Sequence, residues 1–278
     1  MVWQLIVIAM AAYLLGSINL SIILSKLMGK GDIRQYGSGN AGTTNTLRVL
    51  GVVPAIIVFL FDAFKGILAI IIGKWLIFLG DSIPAESMEL AYELAILFSA
   101  TFAILGHNFP IYYGFKGGKG IATSLGAIFM IEWPIGLVCL LFGLVLIIFS
   151  RMVSLGSIIG SLLYPVLVLV IGTAFAYPIP YVIFACFIAT LAIYRHKSNI
   201  KKLLNGTENK LWYTKAEKAL MNKEDDKKIE ETTAEDTNNE TTTEAVTENK
   251  DVESNDNTND ENNNEENSND DSDNLKEE

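Results

Sequence analysis

The seven residues GFKGGKG, positions 114–120, set four glycines and two lysines between long apolar runs. A backbone without side chains can bring its N–H groups close to an anion, and Lys119 adds a point charge. The stretch lies within GHNFPIYYGFKGGKGIAT (106–123), where His107, one of two histidines in the chain, is followed by Asn108. Gly117, Gly118 and Gly120 surround the lysine, giving a candidate substrate-binding loop. It is not a nucleotide P-loop: three residues separate Gly114 from Gly118 where that motif has four, and Gly120 follows Lys119 where it needs Ser or Thr. Two more polar stretches share this character. GDIRQYGSGNAGTTNTLRVLG (31–51) offers Ser38, Gly39, Asn40 and Asn45 as hydrogen-bonding groups, with Arg48 as a planar fork suited to phosphate. YRHKSNIKKLLNGTENK (194–210) carries Arg195, His196, Asn199 and Lys202 at spacings that fall on one side of a helix continuing past the last apolar run. Asp32 and Glu208 are the acids in the three stretches, so neither paired-carboxylate hydrolysis nor a carboxylate-rich Mg²⁺ site is supported. No metal, cofactor or nucleic-acid partner is expected, and the sequence sets no oligomeric state. Blander readings stand beside each feature: arginine and lysine at membrane edges, glycine for tight helix packing, and Lys201 and Lys202 for anionic lipid.

The elements that must position these loops are apolar helices. Residues 1–222 hold 16 Lys+Arg against 9 Asp+Glu, whereas residues 223–278 hold 5 against 22, giving the net charge of −10. The chain therefore reads as a mildly basic membrane domain, 1–222, followed by an acidic tail, 223–278, too poor in apolar residues to repay the entropy of ordering. Apolar runs near the length needed to cross a bilayer predict an all-α, polytopic protein with seven helices. They fall near 3–25, 53–79, 90–106, 121–131, 133–150, 155–175 and 178–194. The run 121–131 is short and could be half-inserted. Lys26, Lys30, Arg34, Arg48, Lys116, Lys119, Arg151, Arg195 and Lys197 all fall on one side of this arrangement. Asp81, Glu86, Glu89, Glu93 and Glu132 fall on the other, with Lys74 as the exception. The positive-inside rule then puts the N-terminus outside a cell membrane and the three loops and C-terminus in the cytoplasm. Within the apolar body, Asp62 and Lys65 stand three apart and read as an internal ion pair, with a functional role as the alternative. Ser17, Asn19 and Ser21 read as interhelical hydrogen-bonding residues, and Cys139 and Cys186 as packing.

In order and spacing, GSGNAGTTNTLRVLG, GHNFPIYYGFKGGKGIAT and RHKSNIKKLLNGTENK resemble the three signature regions of the bacterial acyl-phosphate:glycerol-3-phosphate acyltransferases, the PlsY family. YLLGSIN and DAFKG are further landmarks, and the resemblance runs from residue 1 to about 212. Asn19 stands where the family usually has proline and Thr43 where it usually has alanine. The resemblance implies a seven-helix membrane enzyme that moves an acyl group from acyl phosphate to the 1-hydroxyl of glycerol 3-phosphate, giving lysophosphatidate and phosphate. It implies Ser38, Arg48, Lys119, His196 and Asn199 as active-site residues, with His107 and Asn108 as second members. Arg48 and Lys119 would hold phosphate, and the proton of the attacking hydroxyl would pass to the substrate's own phosphate, with either histidine as the alternative base. Acyltransferases that use soluble thioester donors commonly carry His with Asp five residues on; here those positions hold Tyr112 and Lys201. An anion carrier, or a scaffold acting through the acidic tail, would leave the clustering of polar loops on one face unexplained.

Overall fold

The computed structural model describes residues 2–79, 84–175 and 178–212. The acidic tail expected at 223–278 lies outside the described residues. Nine α-helices are seen among these residues: α1 Val2–Ser17, α2 Leu20–Leu27, α3 Thr43–Leu50, α4 Val52–Phe78, α5 Met88–Asn108, α6 Ile121–Ser150, α7 Val153–Phe175, α8 Ile179–Arg195 and α9 Lys197–Leu204. All seven expected apolar segments are helical. By length and apolarity five stretches can cross a bilayer: Val2–Leu27, Val52–Phe78, Ala85–Tyr113, Ile121–Ser150 and Val153–Ile171. A sixth is the pair α8–α9, bent by 62°. In this count α6 enters once although it holds two of the expected segments, and α8 is long enough only together with α9.

Two departures from straight helices shape the protein. The first apolar run, expected to be one helix, breaks at Asn19, whose backbone is extended and whose side chain accepts a hydrogen bond from Ile22 N. Ser21 Oγ donates to the same Asn19 Oδ1, and Asn19 Nδ2 donates to Ala41 O. Asn19 thus ends one helix, caps the next and tethers the loop after it. The second departure is at Glu132 in α6, where φ −145° and ψ 79° leave the helical region, two residues before Pro134. A side chain on Gly136 would lie 3.3 Å from Phe129 N, seven residues back. In a straight helix seven residues advance about 10 Å, so α6 is two arms folded onto each other. The first arm, 121–131, reaches about 16 Å by helical rise, roughly half a hydrocarbon core.

Large apolar side chains point outward all round the bundle, including Ile57, Leu60 and Phe64 on α4, Leu141, Val145 and Ile148 on α6, and Ile183 and Phe187 on α8. In water such a surface would aggregate; in lipid it is the solvated face. The interior joins Ile70 of α4, Leu97 and Ile104 of α5, Ile128 and Ile135 from both arms of α6, Tyr164 of α7 and Ile188 of α8. Cys139 is packed in this core, whereas Cys186 faces outward. Between apolar helices in lipid, association depends on close packing rather than on escape from water. Gly66 of α4 lies against Thr123 O of α6, and Gly126 of α6 against Ala63 O of α4, so the two backbones touch where any side chain would collide. Gly126→Val is expected to lower the melting temperature of the detergent-solubilised protein by about 5 °C or more, the scale of a strained core insertion. Val145→Ala, at an exposed position of the same helix, is expected to move it by less than about 2 °C in the same thermal scan.

Candidate active site

The connector 31–51 is not a plain loop. Ile33–Gln35 forms a short 3-10 turn and residues 43–50 form α3. Asp32 caps the turn, accepting from Arg34 N, and its carboxylate pairs with the Arg34 guanidinium at 2.7 Å. That hydrogen bond holds the Asp32 carboxyl below its ordinary pKa and raises the Arg34 guanidinium. The buried side chain of Asn45, on α3, gathers the turn in front of it. Its Oδ1 accepts from Ser38 N at 2.8 Å, and its Nδ2 donates to Ile33 O and Tyr36 O. Asn45, expected to bind substrate, therefore has its side-chain groups engaged in fixing the position of Ser38. One turn further along α3, Arg48 is exposed and makes no hydrogen bond or ion pair among the described residues.

The glycine loop is held from both sides by arginines. Arg34 Nη1 donates to Tyr113 O and Lys116 O, at 2.7 and 2.9 Å. Arg195, at the end of α8, donates through Nε and Nη2 to Gly118 O and through Nη2 to Gly117 O, while its guanidinium covers the Phe109 ring at 5.0 Å. Underneath, Gly117 N and Gly118 N donate to Asn108 O and His107 O at the end of α5. Gly120, with φ +77°, turns the chain into the first arm of α6 and lies against the Asn108 amide. The result is a clamped loop rather than a flexible one, with Lys119 fixed at its tip. Neither clamp was legible in the sequence, where Arg34 and Arg195 look like ordinary basic residues at a membrane edge.

The third stretch does not continue straight, as the spacing suggested. His196 leaves the helical region (φ −101°, ψ 8°) and its N–H caps α8 on Ala192 O and Ile193 O, so α9 departs at an angle. The bend still brings Asn199 to the glycine loop. Lys119 Nζ donates to Asn199 Oδ1 at 2.6 Å, and Asn199 Nδ2 donates to Glu208 Oε1 at 2.9 Å. His196 is buried, and its Nδ1 lies 2.7 Å from Ala192 O. A carbonyl can only accept, so Nδ1 carries the proton and Nε2 of the neutral ring is an acceptor. Burial pulls the Lys119 ammonium down to about 8; Glu208 opposes this, and Arg48, Arg195 and Lys202 reinforce it.

One cavity of about 270 Å³ unites these groups. Ser38, Asn40, Asn45, Arg48, His107, Lys119, Gly120, His196, Asn199 and Glu208 all contribute to its wall, as does Asp62. Of the other residues expected at the site, Gly39 sits in the turn over Arg34 O, Asn108 lies beneath Gly120, and Gly117 and Gly118 form the back of the Lys119 loop. The cavity then runs between apolar walls: Leu125 and Ile128 of the first α6 arm, Leu140 and Leu144 of the second, and Ile188 of α8. Ser154 and Ser157 of α7 also line it, and no signal in the sequence distinguished them from other serines in apolar helices.

A helical membrane protein whose cavity is cationic and amide-rich at its loops and apolar between its helices belongs to a class that handles charged head groups together with lipid chains. The sequence comparisons define the class more closely. The glycerol-3-phosphate acyltransferase family profile matches residues 6–206, and the chain belongs to that family. Curated relatives named glycerol-3-phosphate acyltransferase include one from Halalkalibacterium halodurans, 44% identical over 212 residues, covering 75% of this chain and 95% of the relative. One from Shouchella clausii is 42% identical, covering 76% and 98%. Crystal structures of PlsY (YgiH), an integral membrane glycerol 3-phosphate acyltransferase, are similar in fold. Its glycerol 3-phosphate form has a TM-score of 0.64 at 35% identity, covering 74% of this chain and 94% of that one. Its lysophosphatidic acid form gives 0.63 at 34%, covering 77% and 97%.

The lowered pKa of Lys119 carries a pH dependence. The amine is charged below about 8 and neutral above it, so affinity for an anion at this site falls as pH rises through that value. KM for the phosphate-bearing substrate is expected to rise between about pH 7.5 and 9 in steady-state assays. Lys119→Arg, charged throughout that range, is expected to flatten the profile.

Proposed function

We propose that the protein transfers an acyl group from acyl phosphate to the 1-hydroxyl of glycerol 3-phosphate, giving lysophosphatidic acid and inorganic phosphate, the first acylation of bacterial phospholipid synthesis. The observation that carries this reading is the continuity of one cavity from Arg48 and Lys119 to the apolar walls of α6 and α8. Both substrates bear phosphate, and one also bears a long chain. The family of the relatives supports the acceptor; the poverty in acids and the missing His-Asp pair favour acyl phosphate over a thioester.

In this reading Arg48 and Lys119 hold the substrate phosphates, and Ser38, Asn199 and the N–H groups of Asn40 and Gly120 position them. Glu208 acts through Asn199, fixing the amide that Lys119 donates to. The 2-hydroxyl of glycerol 3-phosphate donates to Nε2 of His196, while the 1-hydroxyl, its proton turned toward the phosphate of the acyl phosphate, attacks the acyl carbonyl. The new ester C–O bond forms as the acyl–phosphate C–O bond breaks, and the departing phosphate takes the hydroxyl proton. Phosphate leaves readily, so alignment and charge stabilisation supply most of the catalysis. The acyl chain lies between the α6 arms and α8. The loops and C-terminus face the cytoplasm and the N-terminus the outside: Arg34, Lys116 and Arg195 meet at the clamped glycine loop, while Glu86, Glu89, Glu93 and Glu132 belong to the opposite ends of the helices.

Purified protein in detergent is expected to release phosphate and form lysophosphatidic acid from palmitoyl phosphate and glycerol 3-phosphate. Palmitoyl coenzyme A at equal concentration is expected to give no comparable turnover, and efficient thioester use would overturn the donor assignment. Lys119→Ala and Arg48→Ala are each expected to cost about a hundredfold or more in kcat/KM, since a preorganised contact to developing charge is worth a few kcal/mol. Near-normal turnover in either variant would remove that residue from the site.

A further inference from the structure

Beneath the glycine loop lies a buried polar cluster that the acyl-transfer reading leaves without a role. Lys65 of α4 is 1% exposed, Asp62 and His107 are each 3% exposed. The Lys65 ammonium pairs with the Asp62 carboxylate, 2.8 Å from its Oδ1, and hydrogen-bonds to Ile18 O and His107 Nδ1, each at 2.9 Å. Ile18 O is available because the break at Asn19 diverts Ile22 N to the Asn19 side chain, leaving that carbonyl without its helical partner. The pairing at His107 has a chemical consequence. An ammonium can only donate, so Nδ1 must present its lone pair, and a neutral ring then carries its proton on Nε2. The other tautomer would set N–H against N–H at 2.9 Å and leave a buried ammonium one acceptor short, a costly arrangement in the membrane interior. Asp62 Oδ1 is 3.3 Å from His107 Nδ1, the longer contact, and the ammonium bridges the two acceptors.

The Nε2 edge of His107 faces the loop. A Cβ on Gly118 would collide with it, so glycine there lets the backbone settle directly on the ring beside Lys119. His107 also forms part of the cavity wall. The geometry of His196 is the reverse, with Nδ1–H given to Ala192 O and Nε2 left as an acceptor.

We propose that Asp62 and Lys65 are positioning residues that fix His107 as a neutral Nε2–H donor to a substrate phosphate oxygen, so that the two histidines of the site hold opposite tautomers and divide donor from acceptor. The inference of a substrate phosphate rests on the acyl-transfer reading above; the tautomer does not. His107 is then no candidate for the general base, because its one lone pair is occupied by Lys65.

Protein carrying ¹⁵N-histidine and no histidine tag gives a direct test, since the chain has two histidines and His196→Gln assigns them. At neutral pH without substrate, His107 is expected to show a pyridine-like Nδ1 and a protonated Nε2, and His196 the converse. A protonated Nδ1 at His107 would overturn the proposal. Lys65→Met is expected to move the His107 proton to Nδ1, toward Asp62, and to lower kcat/KM at least about tenfold; an unchanged tautomer in a folded variant would remove Lys65 from the role. His107→Gln, whose amide can donate from near the Nε2 position, keeps the native ammonium in place should Lys65→Met fail to fold. It is expected to be roughly tenfold more active than His107→Ala; equal losses would show that no donor is supplied there. Absence of acyl transfer by the wild-type protein would overturn the acyl-phosphate reading and leave the tautomer result standing.

Discussion

A polar group within a bilayer must find its partner inside the protein, and this constraint shapes the structure from its helix breaks outward. At the first break the carbonyl of Ile18 is met by Lys65, and the amide of Ile22 by Asn19. An ammonium drawn in to satisfy a carbonyl must itself be satisfied, which brings Asp62 and His107 to the same point. One interruption near the membrane edge therefore ties together α1, α2, α4 and the end of α5, on which the glycine loop rests.

The loops obey the same constraint from the water side. Carbonyls of residues 113, 116, 117 and 118 point to arginines from two other connectors. Fixing those carbonyls fixes the lysine between them. Lys119 is then half-buried among like charges with Asn199 as its neutral partner and Glu208 one step behind, which keeps the negative charge from occupying the position an anion would take. A direct lysine–glutamate pair would be stronger and less useful, because a phosphate would have to displace it.

Much of the architecture was legible in the sequence. Apolar runs located every long helix, and the separate runs at 121–131 and 133–150 anticipated the two arms of α6, the first of them short. The polar stretches, gathered by their composition, do share one cavity wall. What escaped was everything set by contact across the chain. Thr43–Leu50 is rich in threonine and asparagine, weak helix formers, and becomes helical while packed against α4. The bend at His196 has neither proline nor glycine to announce it. The ion pair at Asp62 and Lys65 was read correctly from its spacing, but its third and fourth members lie 42 and 47 residues away from Lys65. The arginine clamps join residues 77 to 82 positions apart.

The hydrogen-bonded sequence from Lys119 through Asn199 to Glu208 also has a meaning in time. A ribosome delivers the chain N-terminus first, so the loops of residues 31–51 and 106–123 are made well before α9 exists. Until residues 199 and 208 have been made, Lys119 lacks both its neutral partner and the acid behind it. The last few described residues to be synthesised therefore complete the hydrogen-bonded sequence that fixes Lys119. The contact that fixes Lys119 thus waits for α9 and the residues just after it, which arrive after every apolar helix has been made.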